Sequence, residues 1–191
     1  MSPSYTRAVR AVMLEVPEHL LAERRRTGAD KRDEVWAGVL HMVPTPGTSH
    51  QRIARQLLLV LVRIAERRGL EVLYETSVFD PPEGVKDYRV PDLVIVDPAH
   101  VSKRGIEGIA EVAVEILSPN DESRDKLPFY ARVGVREVWL FDPSTRTVEM
   151  YRSQGGAPTR VEPPLRSVLG IDLETIGRTL RIRDGEILEE V

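Results

Sequence analysis

Apolar and polar positions along the chain fall into two rhythms, and glycine and proline mark where one gives way to the other. Pro17 to Arg26 reads as a short surface helix, with Leu20 and Leu21 set among charges and Thr27-Gly28 as its stop. Glu34 to Val43 alternates loosely and runs into Pro44-Thr45-Pro46-Gly47, which predicts one strand leaving a sheet into a loop. From Thr48 the spacing becomes helical. Ile53, Leu57, Leu61, Ile64 and Ala65 form one stripe, Thr48 and Gln51 have capping-box spacing, and Arg68-Gly69 ends the run. Leu70 to Phe79 is predicted as a strand and Asp80-Pro81-Pro82-Glu83-Gly84 as a mobile surface loop. Leu93 to Val96 and Val112 to Leu117 are apolar runs of buried strands, joined by a polar connection from Pro98 to Glu107.

Beyond Ser118-Pro119 the pattern predicts a helix starting near Arg124 or Asp125, because Pro128 is tolerated only in a first turn, and Gly134 suits its C-terminal stop. Arg136 to Phe141 and Thr147 to Tyr151 are expected to form a hairpin around Asp142-Pro143-Ser144-Thr145. The chain is then rich in proline and glycine through Pro164, and the tail from Ile171 carries a short helix candidate and a hairpin signal at Asp184-Gly185. This alternation predicts an α/β domain with a mixed central sheet flanked by helices.

Composition narrows the chemistry. A chain of 191 residues, 41% hydrophobic, suits a single domain over residues 1–191 with a sizeable core. Without cysteine, disulfides, thiolate metal sites and cysteine nucleophiles are excluded. The formal net charge of -3 does not favour bulk nucleic-acid binding, although a local basic groove can coexist with it. Nearly every cation is arginine, which base composition of the coding DNA would explain; the lysines are Lys31, Lys86, Lys103 and Lys126. No apolar run approaches the roughly 20 residues of a membrane helix, and the N-terminus lacks a leader pattern, so a soluble, cytoplasmic protein is expected.

Against that background two carboxylates stand out, Asp92 at the opening of one buried run and Glu115 near the end of the other. Ionised groups are costly to leave unpaired in such runs, which suggests a shared cation. Lys126 follows, and Phe129, Tyr130 and Val133 share its helical face and direct the amine toward the sheet. Simpler readings exist for each: Asp92 as a capping carboxylate, Glu115 as a buried ion pair with Lys126 alone, and Lys126 snorkelling past Tyr130 to solvent. Ser118 reads as a backbone cap, and Tyr130 and Trp139 as core aromatics rather than base-stacking platforms.

Pro91-Asp92, Glu115-Ile116-Leu117-Ser118-Pro119, Lys126-Leu127-Pro128-Phe129-Tyr130-Ala131 and Gly134-Val135-Arg136-Glu137-Val138-Trp139-Leu140-Phe141-Asp142-Pro143 together resemble the Uma2 family of restriction-endonuclease-like proteins. That family lies within the PD-(D/E)xK nuclease superfamily. The resemblance spans about 34–151, which implies a nuclease-like core of restriction-endonuclease-like fold with an N-terminal helix and a C-terminal extension. It implies a metal-dependent endonuclease acting on DNA, with Mg2+ or Mn2+ held by Asp92, Glu115 and the carbonyl of Ile116, and Lys126 polarising the nucleophilic water. The superfamily's usual lysine lies two residues after the glutamate, where this chain has Leu117, so Lys126 would enter from the following helix.

His50 and Glu34 also match family positions, in Ser49-His50-Gln51 and in Glu34-Val35-Trp36-Ala37-Gly38. His50 reads either as a base or water-orienting group or as a histidine with a satisfied ring, and Glu34 either as a site carboxylate or as an edge-strand partner of an arginine. A family acidic position four before the lysine falls on Glu122, with Asp121 and Asp125 as competing readings. A homodimer would suit double-strand cleavage. The rival from another class is a catalytically inert binding module that keeps the nuclease fold, which Leu117 and the modest basic charge favour.

Overall fold

The computed structural model of the chain describes residues 15–118, 122–145, 147–173, 181–183 and 186–188. It begins with α1 (Glu18–Thr27), closed by Gly28 in the left-handed conformation, and a short 3-10 turn at Ala29–Arg32. Next come β1 (Glu34–Trp36), β2 (Val39–His41) and the long helix α2 (Thr48–Glu66). A run of short strands follows: β3 (Glu71–Tyr74), β4 (Val78–Asp80), β5 (Gly84–Arg89), β6 (Leu93–Val96), β7 (Ile106–Glu107) and β8 (Ala110–Ile116). The chain then forms α3 (Leu127–Val133), β9 (Val135–Asp142), β10 (Thr147–Gln154) and β11 (Ala157–Arg160), and ends in the antiparallel pair β12 (Arg181–Arg183) and β13 (Glu186–Leu188).

Two mixed sheets carry the molecule. The larger has strand order β11-β10-β9-β8-β6-β3, antiparallel except for the parallel β8–β9 pair, and the smaller has order β2-β1-β5-β4-β7. Alternation along the central strands sends side chains to opposite faces and so builds two cores. On one face Leu93, Ile95, Val112, Val114 and Ile116 meet Ile53, Leu57, Leu61 and Ala65 of α2, together with Leu165, Leu169 and Leu173. On the other, Val94, Val96, Ala113 and Leu117 pack against Leu127, Phe129, Tyr130 and Val133 of α3, with Val78 and Ile106 of the smaller sheet. The domain is thus α/β, its larger sheet covered by a helix on each side.

Several local expectations give way to backbone conformation. Glu34 to Val43 is a hairpin rather than one strand, because Ala37 (φ 48) and Gly38 (φ 88) form the two-residue left-handed turn that matches strand twist. Leu70 to Phe79 breaks at Glu75 (φ 46), which sends β3 to the larger sheet and β4 to the smaller. Asp80 to Gly84 is a hairpin turn into β5, whose exposed, polar start hid it from pattern reading. Gly47, not Thr48, caps α2, and no side chain caps that helix, so the expected capping box is not formed. Ile64 is only partly buried, and β11 lies inside the proline- and glycine-rich stretch. The helix candidate after Ile171 and the Asp184-Gly185 turn fall on positions outside the described residues, although β12 and β13 pair on either side of that turn.

Leu57 is fully buried between α2 and the larger sheet. Leu57→Ala should therefore cost about 2–5 kcal/mol in urea unfolding. A loss within about 0.5 kcal/mol, the range of surface substitutions, would mean that α2 does not dock as described.

Candidate active site

The site forms where the two sheets face each other. Leu93 pairs with Val114, so one step further along the antiparallel register Asp92 lies opposite Glu115, and directly opposed residues share a face. That face carries α3. Asp92 is fixed from two sides: its Oδ2 accepts the Ile116 amide at 2.7 Å and stands 3.1 Å from His50 Nε2 at the start of α2. In an extended strand the N–H and C=O of one residue leave on the same side, so the Ile116 carbonyl also faces the Asp92 edge of β8.

Lys126 reaches the cluster from the 3-10 turn Ser123–Lys126, which precedes the helix proper. Pro128 follows in the first turn of α3, where a missing N–H costs nothing, and Gly134 (φ 100) ends the helix. The ammonium lies 2.8 Å from Glu34 Oε1 and 3.1 and 3.3 Å from the two Glu115 oxygens. Tyr130 donates its hydroxyl to Glu115 Oε1 at 2.6 Å, and Ser123 Oγ stands 3.5 Å from Oε2. Among the described residues Glu34 is paired with Lys126 and with no arginine. Its remaining bonds come from the Val90 amide at 2.8 Å and the Trp36 indole at 2.7 Å. Leu117, on the face of Glu115, packs in the apolar core, so the cation beside Glu115 comes from Lys126.

Five residues singled out from the sequence, Glu34, His50, Asp92, Glu115 and Lys126, are thus in one cluster, with Glu34, Asp92 and Glu115 all buried. Glu122 is outside it, 3.3 Å from His41, whose ring stacks on Trp36. Arg32 went unnoticed in an arginine-rich segment, yet its Nη2 lies 3.5 Å from Asp92 Oδ1. The Tyr130 hydroxyl and Ser123 were also missed. For Tyr130 the helical spacing from Lys126 was an available signal.

Electrostatics follow from burial. Burial pushes the Glu115 carboxyl up to about 8, against the pull of Lys126 and with help from the negative charges of Asp92 and Glu34. Burial works against the Lys126 ammonium, but Glu115 and Glu34 outweigh it and hold its pKa above the ordinary lysine value. Burial and the Glu115 charge push the Tyr130 phenol well above its usual range. Three carboxyl groups thus gather round one lysine, and Glu115 is the one that keeps its proton at neutral pH.

Hard cations take such oxygen donors, and a divalent ion would take the place of the proton that Glu115 holds. Asp92, Glu115 and the Ile116 carbonyl fit that role if waters complete the shell, since the described residues hold no cluster of three or more His, Cys, Asp or Glu side chains able to bind a metal unaided.

Comparison with known proteins places the chain. The model of the Uma2 family, described as "Putative restriction endonuclease", matches residues 17–182. Among solved structures, one described as a "putative nuclease belonging to DUF820" from Anabaena variabilis is similar, with TM-score 0.57 and 20% identity over 69% of this chain and 77% of that one. The fold is therefore restriction-endonuclease-like. A chain of the DrdV–DNA complex aligns with TM-score 0.39 and 18% identity over 69% of this chain but only 12% of its own length. No curated protein matches.

The raised Glu115 pKa sets a pH dependence. The group keeps its proton in the fold up to about pH 8, against 4.5 when unfolded, so its contribution to stability is full below pH 4.5 and is lost as pH rises through 8. Without divalent ions the Tm should fall across that window, and Glu115→Gln should flatten the fall. A Glu115→Gln profile that parallels the parent's would contradict the assignment.

Proposed function

Since the chain belongs to the Uma2 family, whose model covers residues 17–182, we propose that it is a metal-dependent endonuclease hydrolysing phosphodiester bonds in DNA. The observation that carries this reading is the Lys126 ammonium held between Glu34 and Glu115 on the sheet face that also presents Asp92. Asp92, Glu115 and the Ile116 carbonyl would hold Mg2+ or Mn2+, ions that prefer oxygen ligands. Such an ion supplies an acidified water and charge stabilisation at the phosphate. Lys126 contributes a fixed positive charge beside the attacked phosphorus, where a preorganised donor acts most strongly. Glu34 keeps that amine charged and placed, and His50 orients Asp92 through Nε2, leaving a buried Nδ1 without a hydrogen-bond partner among the described residues. No helix among the described residues is long and apolar enough to cross a membrane, and the reading places the protein in the cytoplasm with DNA as its partner.

One observation favours a second reading. Both Glu115 oxygens are already engaged by Lys126, with Tyr130 and Ser123 adding to the cap, as an inert module that keeps the fold would have them. A cleavage assay separates the two. Duplex and single-stranded DNA should be cut only with Mg2+ or Mn2+, Glu115→Ala should abolish cutting, and Lys126→Ala should slow it by on the order of 10²- to 10³-fold. Stability should be compared at matched metal concentration, because bound ligand raises Tm. Undiminished cutting by folded Lys126→Ala removes the lysine's role, and no cutting by the parent on any form selects the inert module.

A further inference from the structure

Arg32 is a poorly bonded cation beside the cluster. Its Nε and Nη1 are buried without a hydrogen-bond partner among the described residues. Its approaches to carboxylates are 3.4 Å to Glu75 Oε1 and 3.5 Å to Asp92 Oδ1, beyond the roughly 2.7–2.9 Å of a charge-assisted bond. A buried guanidinium with free donors is costly to maintain in isolation, so an arrangement that keeps one beside the site points to an acceptor that arrives from outside.

Its backbone, by contrast, is firmly placed. Asp33 is buried and extended, receives Arg24 and accepts the Val43 amide at 3.1 Å, and thereby fixes the residues on either side of it. Arg32 ends the 3-10 turn and Glu34 opens β1 two residues later, so the segment that brings Glu34 to Lys126 also brings Arg32 to Asp92. The Arg32 side chain as a whole is 19% exposed, although Nε and Nη1 themselves are buried. A flexible stem and a planar fork of donors are suited to a phosphate, whose oxygens match that fork in pairs.

We propose that Arg32 binds a backbone phosphate of the DNA substrate, leaving its long contacts with Asp92 and Glu75 to do so; this rests on the nuclease reading above. The site would otherwise offer a polyanion three buried carboxylates and a lysine already shared between two of them. Arg32 is then a substrate-binding residue, distinct from the groups assigned to the metal.

The test is fluorescence anisotropy with a short labelled DNA duplex, in Ca2+ in place of Mg2+ or Mn2+ and across a salt series, on the full chain. Arg32→Ala should weaken binding on the order of tenfold and lower the slope of log affinity against log salt by about 0.9, the signature of one lost phosphate contact. Arg32→Lys should keep the slope but bind more weakly than the parent, since it keeps the charge and loses the fork. Parental affinity and slope in Arg32→Ala overturn the inference, even if its Tm has dropped, because the side chain would then be only a structural partner of Asp92. Should Arg32→Ala not fold, parental affinity in Arg32→Lys overturns it. A parent that cuts DNA while its Arg32 variants bind unchanged fails this inference alone, whereas a parent that neither binds nor cuts fails the nuclease reading with it.

Discussion

Lys126 ties together three elements that are distant in sequence, and its position depends on the physics of a buried ammonium. Glu34 comes from the smaller sheet, Glu115 from the larger, and the amine from the turn before α3. A cation removed from water needs close counter-charges, and a carboxylate in an apolar strand needs a cation. Each group therefore limits where the others can be. Arg89 supports the same junction from behind, its guanidinium between the rings of Trp36 and Phe129 and bonded to Asp87 at 2.8 Å. The relative placement of β1, β8 and α3 follows from these contacts as much as from apolar packing.

The cluster gathers three buried carboxyl groups round one lysine, and Glu115 stays protonated to about pH 8 as a result. Removing Lys126 would leave Glu34 and Glu115 without their shared cation, a loss greater than that of a typical single hydrogen bond. Such imbalance is poor design for stability alone and a common property of sites that receive a cation or a charged substrate. Leu117 fits this account: the face beside Glu115 is given to core packing, and the amine is supplied from the next element. Position in space, rather than spacing in sequence, determines what the cation can do.

Much of this arrangement was legible in the residues. The unbroken apolar runs around Asp92 and Glu115 located the two central strands, and Gly134 located the end of α3, because burial and backbone restriction act locally; the α-helix starts at Leu127 rather than near Arg124 or Asp125, where the chain is a 3-10 turn. What escaped depended on contacts or torsions that no local pattern encodes. Left-handed torsions at Ala37 and Glu75 turned one expected strand into a hairpin and divided another between sheets. Arg32 looked like any arginine of its segment until the fold set it beside Asp92. The Tyr130 ring was readable as core, but its hydroxyl bond to Glu115 required the strand and helix to be docked.

The central claim is that a divalent cation replaces the proton that Glu115 holds beside Glu34 and Asp92. Calorimetric titration of the protein with Mg2+ or Mn2+ near neutral pH, repeated in buffers of different ionisation enthalpy, tests it directly. With the Glu115 carboxyl held near 8, a bound ion should displace its proton, so the account predicts saturable binding with proton release, and loss of that release in Glu115→Gln. Absence of saturable binding, or binding with unchanged proton release in Glu115→Gln, would contradict it.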